Sequence, residues 1–489
     1  MDNISNIKKT TISSLMWKLF ERGGNAVVQI IVQIAMARLL APEEFGALSI
    51  MLVFVNIGNV IVQSGLNTSI VQSRTIDEVD LSTVFWLSLA ASMVLYVLDF
   101  VAASAVASFY AMPYIVWPLR VMGILLLITS FNSVQVAIVQ RELQLRKIFN
   151  ATIAAVTISG VMGIAAAFAG AGLWALVIQQ LVYQLSNCFV LGLQVHWLPS
   201  RTFDAYKARK HFAYGWKLLA SGLLDQGYQS LSDLIIGKQF SATSLGLVSQ
   251  GKKYPQAVGN MLDGAIQPVM LSAVSRIQDD TASVKRLVRR ALKTSTFLIA
   301  PAMTLFGVVA EPIISLLLGE KWLPCVPFLQ MYCFIYALLP IHTTNLQALN
   351  GMGHSDMFLK LELIKKAYGI VSILFAAYFL KDACLIVATH MVTGLISTFV
   401  NAYPNKRVID YSYGEQLLDI APAFLLSAAA GGFAFLFGTL IESQLLCIVV
   451  EIVVMAAIYL GLAAAFKLDA FIYLVKSVKG LFKSRRGED

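Results

Sequence analysis

Apolar runs of roughly twenty residues recur along the chain, and a run of that length is what a helix needs to cross a bilayer. They fall at 13–38, 45–67, 81–107, 115–138, 149–170 and 173–195. After a polar stretch at 196–212 they resume at 213–237, 244–274, 292–318, 324–349, 357–380 and 382–403. Two more close the series at 416–440 and 443–465. The pattern predicts an all-α polytopic membrane protein of about fourteen transmembrane helices. From Phe466 onward the tail is basic and amphipathic, carrying Lys467, Lys476, Lys479, Lys483, Arg485 and Arg486, and is expected on the membrane surface.

Several of these runs carry polar residues at helical spacing. The first has Lys18, Arg22, Asn25, Gln29 and Gln33; the second has Asn56, Asn59, Gln63 and Asn67. The seventh has Lys217, Ser221, Asp225, Gln229 and Asp233; the eighth has Lys253, Gln256, Asn260, Asp263 and Gln267, with Lys252 adjacent. Steps of three and four put each set on one face. A charge at the bilayer centre costs about 2.5–3.5 kcal/mol on insertion scales, so such faces turn toward protein or water. A water-filled cavity lined by helices 1, 2, 7 and 8 accounts for all four stripes. Single Asn or Gln residues equally serve as interhelical glue. Lys18 and Lys217, near helix ends, equally snorkel to headgroups.

Charge changes the picture by giving the helices a direction. Lys8/Lys9, Arg141/Arg146/Lys147, Arg201/Lys207/Arg209/Lys210, Lys285/Arg286/Arg289/Arg290 and Lys406/Arg407 fall on alternate loops. The intervening loops are nearly free of basic residues, Lys238, Lys321 and Lys381 excepted. By the positive-inside rule both termini are expected in the cytoplasm. The net charge of +9 is thus a topological signal, and nothing resembles a nucleic-acid-binding arm. With 58% hydrophobic and 13% charged residues and a mean hydropathy of +0.72, the composition excludes a soluble domain. MDNISNIKKT and the charged run after it read as the start of a permanent first helix rather than a cleavable signal.

An internal repeat is visible. Trp17-Lys18-Leu19 is matched by Trp216-Lys217-Leu218, Phe45-Gly46 by Leu245-Gly246, Asn59 by Asn260 and Arg74 by Arg276. The offset drifts only from about 199 to 202 residues, and six helices separate the copies, so the repeat is parallel, about an axis along the membrane normal. The expected organisation is a six-helix lobe at 1–195, a cytoplasmic linker at 196–212 and a second six-helix lobe at 213–403. An extra helix pair follows at 416–465, then the tail at 466–489.

Enzymatic and metal motifs are absent or out of context. Gly246–Lys253 nearly spells a phosphate-binding loop, but Lys253 stands where Ser or Thr is needed and the stretch lies in an apolar helix. Asp279-Asp280 has no soluble domain beside it and reads as a helix cap. The five cysteines are scattered and read as packing residues, and His342 and His390 as packing histidines. Glu362 and Lys366 read as a surface ion pair, and Arg120 as interfacial anchor or cavity lining. No catalytic residue, metal site or cofactor is expected.

Phe45-Gly46-Ala47-Leu48, GLNTSIVQ at Gly65–Gln72, LSTVFWLS at Leu81–Ser88, RELQLRKIF at Arg141–Phe149, SRIQDD at Ser275–Asp280 and LGEKW at Leu318–Trp322 occur in this order. Together they resemble the polysaccharide transporter family of lipid-linked oligosaccharide flippases, of the colanic-acid and O-antigen exporter type. That family groups with the multidrug and toxin extruders and the lipid II flippases. The resemblance spans most of 10–403 and implies two bundles, alternating access and an undecaprenyl-diphosphate-linked oligosaccharide as cargo. Polymerase and chain-length proteins are implied partners, the surrounding lipid the medium, and a monomer the working unit. The family supplies no signature site residue, so the candidates come from the stripes. Lys18, Arg22, Lys217, Lys252 and Lys253 would offset the diphosphate, and Asn25, Gln29, Asn56, Asn59, Gln63, Gln229 and Asn260 would meet sugar hydroxyls. Glu21, Asp225, Asp233 and Asp263 are candidate proton or sodium carriers. Two rivals are a drug or cation antiporter on the same scaffold, disfavoured by the basic excess on the stripes, and a membrane-embedded polysaccharide polymerase, disfavoured by the short outer loops.

Overall fold

The computed structural model describes residues 28–486 other than 64, 74 and 143, and side chains as far as residue 477 except at 145. Every described element is a helix. That is what lipid demands, because an unpaired backbone N–H or C=O costs several kcal/mol in hydrocarbon and a helix pairs them within one segment. The chain divides after Gly246 into two compact units.

The first unit runs α1 (Val28–Leu39), α2 (Pro42–Gln63), α3 (Leu66–Gln72), α4 (Glu78–Phe109), α5 (Val116–Met122), α6 (Ile124–Arg141), α7 (Leu145–Phe168), α8 (Leu173–Val195) and α9 (Ala205–Gln239), and takes in the first turn of α10 (Ala242–Ser275). Local chemistry sets the starts. Asp77 caps α4, its Oδ1 accepting from the Asp80 amide at 2.8 Å while Asp80 Oδ2 accepts from the Asp77 amide at 3.1 Å. Asp204 caps α9 through the Tyr206 and Lys207 amides. α7 and α8 form a hairpin turned by Gly170 and Gly172, both at positive φ. Ile70, Val84, Phe85, Val134 and Ala137 pack as one fully buried cluster of α3, α4 and α6.

Two glycine contacts bring backbones together without side chains between them. A Cβ on Gly46 would lie 1.7 Å from the Ala242 carbonyl oxygen, and one on Gly246 1.9 Å from that of Pro42. Gly65, at φ +88, meets Gly215 in the same way. α2 therefore packs against the start of α10 at one end and, through the turn into α3, against α9 at the other.

The second unit continues α10 and adds α11 (Thr281–Val308), α12 (Ala310–Leu317), α13 (Val326–Ala337), α14 (Leu339–Gly351), α15 (Ser355–Phe375), α16 (Ala383–Ala402), α17 (Asn405–Val408), α18 (Tyr413–Gly438), α19 (Gln444–Ala465) and α20 (Asp469–Arg486). Asp280 caps α11, as expected of the acidic doublet. Ser412 and Glu415 form a reciprocal box at the start of α18. Val284, Val288, Leu292, Leu338, Ile341 and Tyr411 anchor the main core, and Phe297, Met455 and Tyr459 a second one under α20.

Among the described residues eleven helical segments are long and apolar enough to span a membrane. Their outward faces are oily: Val101 on α4 is 70% exposed and Leu425 on α18 68%. The three further runs expected from the sequence fare differently. α1 is described only from Val28, while α9 and α10 have 35 and 34 residues but are too rich in polar residues to reach the hydropathy of a span.

Candidate functional site

Lys18, Glu21, Arg22 and Asn25 lie outside the described residues, as does Arg74 of the repeat. In the first unit Asn56 and Gln63 are exposed on α2, and Asn59 between them is half-buried, its Oδ1 enclosed with no hydrogen-bond partner among the described residues. On α9, Lys217, Asp225 and Gln229 are exposed and Asp233 is half-buried. Gln229 Nε2 donates to Asp225 Oδ2 at 2.9 Å, one turn apart. In the second unit Lys252 and Lys253 are half-buried on α10, about ten residues, or roughly 15 Å, from its start. Further along, Asn260 is exposed, and Asp263 accepts from the Thr343 hydroxyl of α14.

Gln29 does more than share a face with Gln33. Both line a cavity of about 280 Å³ inside the first unit, together with Ser159 of α7 and Gln179, Gln180 and Tyr183 of α8. Gln33 Oε1 is buried there without a partner among the described residues, and Gln179 is 9% exposed. Four carboxamides in one small space offer both donors and acceptors and no charge, which suits hydroxyl groups rather than phosphate. The sequence stripe held Gln29 and Gln33. The α8 glutamines were legible only as one of two adjacent polar pairs in an apolar run, Ser186-Asn187 being the other.

A second polar cluster escaped the sequence reading. Ser69 Oγ lies 2.5 Å from His211 Nδ1, and Asp80 Oδ1 lies 3.2 Å from His211 Nε2; the three residues are 4%, 2% and 7% exposed. Lys207, one turn before His211, bridges Asp77 at 2.5 Å and Asp80 at 3.2 Å. The Lys207 hydrogen bond holds the Asp77 carboxyl down at about 2. The order Ser–His–Asp is that of a hydrolase, but Ser69 is enclosed. The cluster instead ties α3 and α4 to the start of α9.

Other expected residues settle locally. Arg120 donates to the Phe100 carbonyl at 3.1 Å and to Ser104 at 3.2 Å, and stacks over Phe100 and Trp117, an anchor within its own unit. Glu362 pairs with Lys365 at 2.5 Å. His342 bonds Asn401 at 3.1 Å. The phosphate-loop-like stretch 246–253 is helical throughout, so its amides are spent on the helix.

Comparison with known proteins adds a lineage to this geometry. Residues 35–327 match the family model described as polysaccharide biosynthesis protein. The lipopolysaccharide biosynthesis protein WzxC of Escherichia coli (strain K12) is 22% identical over 450 residues, 90% of each chain. The succinoglycan biosynthesis transport protein ExoT of Rhizobium meliloti (strain 1021) is 22% identical over 73% of this chain and 72% of its own. Among solved structures, the lipid II flippase MurJ in an inward closed conformation superposes with a TM-score of 0.76 at 12% identity, covering 93% of this chain and 98% of that one.

Proposed function

The chain belongs to the polysaccharide biosynthesis protein family, and from that premise we propose that it flips an undecaprenyl-diphosphate-linked oligosaccharide from the cytoplasmic to the outer leaflet by alternating access. The observation that carries the reading is the character of α9 and α10. Both are of spanning length, yet Lys217, Asp225, Gln229 and Asn260 are exposed on them, and lipid would not tolerate these residues. Such faces line the path of a polar cargo. The relatives supply the direction of that inference, because ExoT bears the name of a succinoglycan biosynthesis transport protein and WzxC that of a lipopolysaccharide biosynthesis protein.

In this reading fourteen spans in two related six-helix lobes, with both termini cytoplasmic, carry the cargo head while its polyprenyl tail stays in lipid. Lys217, Lys252 and Lys253, joined by Lys18 and Arg22, offset the diphosphate charge as it leaves water. Gln29, Asn25, Asn56, Asn59, Gln63, Gln229 and Asn260 exchange hydrogen bonds with sugar hydroxyls. Asp225, Asp233, Asp263 and Glu21 are the candidates for coupling to protons or sodium. Polymerase and chain-length proteins take the product on the far side.

Deleting the gene and following the lipid-linked intermediates tests this function. Accumulation on the cytoplasmic leaflet is expected. Normal translocation with short, unpolymerised chains would overturn it in favour of an enzyme. A Lys252→Gln/Lys253→Gln variant that folds normally is expected to export poorly; undiminished export would remove both lysines from the path.

A further inference from the structure

α11 opens with a basic face that the transport reading does not use. Arg286, Arg289, Arg290 and Lys293 lie three, four and seven residues apart, on neighbouring rows of one helix side. They border a cavity of about 460 Å³ closed on its far side by Asp469 and Tyr473 of α20. Part of the charge is internally matched. Arg289 makes a two-pronged pair with Asp419 of α18 at 2.6 and 2.8 Å, and Lys293 reaches Asp419 at 3.1 Å and Asp469 at 2.9 Å. Neither Arg286 nor Arg290 forms an ion pair within 4 Å among the described residues, although the Asp280 carboxylate interacts with Arg286 electrostatically, the two meeting at the Ser283 hydroxyl. Arg286 donates to the Ser283 hydroxyl at 2.7 Å, and Arg290 stacks on the Tyr473 ring at 5.1 Å. Four cations stand against Asp419, Asp469 and, beside Arg286, Asp280, leaving one positive charge in excess.

A second cavity of about 210 Å³ adjoins the first, sharing Lys293, Asp469 and Ala470. Its walls are mixed: Phe297, Leu418, Pro422, Phe466 and Leu468 give it an apolar side, and Lys293, Asp419, Lys467 and Asp469 a charged side with no net charge. Leu418 is 77% exposed and Phe466 68%. A cationic chamber adjoining a cleft with one apolar side fits an amphiphile with an anionic head and a hydrocarbon chain. The pair lies where the basic start of α11, the first turns of the candidate span Thr281–Val308, meets the amphipathic helix α20, and Lys and Arg at a span end favour the headgroup level.

We propose that these joined cavities hold an anionic phospholipid, its phosphodiester between Arg286 and Arg290 and one acyl chain along Leu418 and Phe466, so that lipid fastens α20 to the body of the second unit. The proposal is independent of the cargo and of the transport path. The guanidinium groups supply charge-assisted hydrogen bonds in the plane a phosphate oxygen pair needs. α20 buries little by itself beyond Ala470 and its neighbours Phe471 and Leu474, so a bridging lipid adds contacts that the helix lacks.

Native mass spectrometry of the full chain in detergent, titrated with phosphatidylglycerol and with phosphatidylcholine, reads the site. Phosphatidylglycerol is expected to add one retained molecule, and Arg286→Gln/Arg290→Gln to weaken that addition about tenfold or more. Phe466→Ser, which leaves every charge in place, is expected to weaken long-chain phosphatidylglycerol but not the dihexanoyl form. Equal retention of both lipids, or unchanged retention in the double variant, overturns the proposal. Displacement of the lipid by millimolar inorganic phosphate overturns the lipid and leaves an anion site. Displacement by substoichiometric undecaprenyl diphosphate overturns it by assigning the cavities to cargo.

Discussion

Gly46→Ala carries the sharpest structural consequence. The new methyl would fall 1.7 Å from the Ala242 carbonyl oxygen, a backbone atom that no rotamer can move. Real Cβ contacts begin at about 3.0 Å, so α2 and the start of α10 must part by about 1.3 Å. For Gly246→Ala, with its methyl 1.9 Å from the Pro42 carbonyl oxygen, the parting is about 1.1 Å. Overpacking of this kind costs about 1–3 kcal/mol. One separation makes room for both methyls, because the two contacts lie on the same crossing. The double variant should therefore cost about as much as the worse single one, not their sum, a coupling of about 1–3 kcal/mol between the two sites. Thermal unfolding of the purified protein in detergent measures this. Gly432→Ala and Gly461→Ala are the controls, since nothing lies within 4 Å of a Cβ at either position. Both should be neutral or gain up to about 1 kcal/mol from helix propensity. Gly46→Ala melting with the controls, or a double variant that simply adds, would refute the reasoning.

Three further outcomes follow from the polar clusters. His211→Ala strips Ser69 and Asp80 of a buried partner at once and should cost about 1–3 kcal/mol, seen as a lower melting temperature, with Ser69→Ala milder. Asp77 is held at about 2 against an ordinary 3.8 by Lys207, so its contribution is present above pH 3.8 and fades as pH falls toward 2. Asp77→Asn should lower the melting temperature at neutral pH, where the contribution is fully present, and flatten its fall between pH 3.8 and 2. Asp419→Ala removes the partner of Arg289, Lys293 and the Tyr411 hydroxyl from a carboxylate only 4% exposed, and should cost about 3–5 kcal/mol; Arg289→Met/Asp419→Leu should recover part of it.

Hydropathy located the spans well because the constraint behind it is strict. The runs expected at 173–195 and 443–465 coincide within a residue with α8 and α19. The misfits have local causes. The run at 292–318 misses the first turns of α11, which begins at Thr281 because Asp280 caps it and a charged face extends the helix out of the apolar zone. The run at 324–349 breaks at Leu338, where Pro340 has no amide to continue the ladder. The stripes identified which residues share a face, but a period cannot say what the face meets. Gln29 turned out to sit with Gln179 and Gln180, some 150 positions on, inside one unit. His211 reaches Asp80 across 131 positions and Arg289 reaches Asp419 across 130. Such pairs depend on topology, which no local pattern records.

The division between charge and amide on these helices bears on what the proposed flippase would select. A neutral hydrogen bond to a sugar hydroxyl replaces one to water and nets about 0.5–1.5 kcal/mol, so carboxamides such as Gln29, Gln33 and Gln180 grip any hydroxyl-rich surface weakly and with little preference. A charge-assisted bond to phosphate is about twice as strong, and Lys252 and Lys253 stand on a helix whose neighbouring polar groups are uncharged as far as Asp263. Affinity then resides in the part that every lipid-linked precursor shares, and the glycan needs only to be tolerated. Changing the sugar sequence of the cargo should alter export little, whereas methylating or removing one phosphate should abolish it. Sharp discrimination between glycans by the intact protein would mean that the amides are doing more than solvating, and that the lysines do not set the affinity.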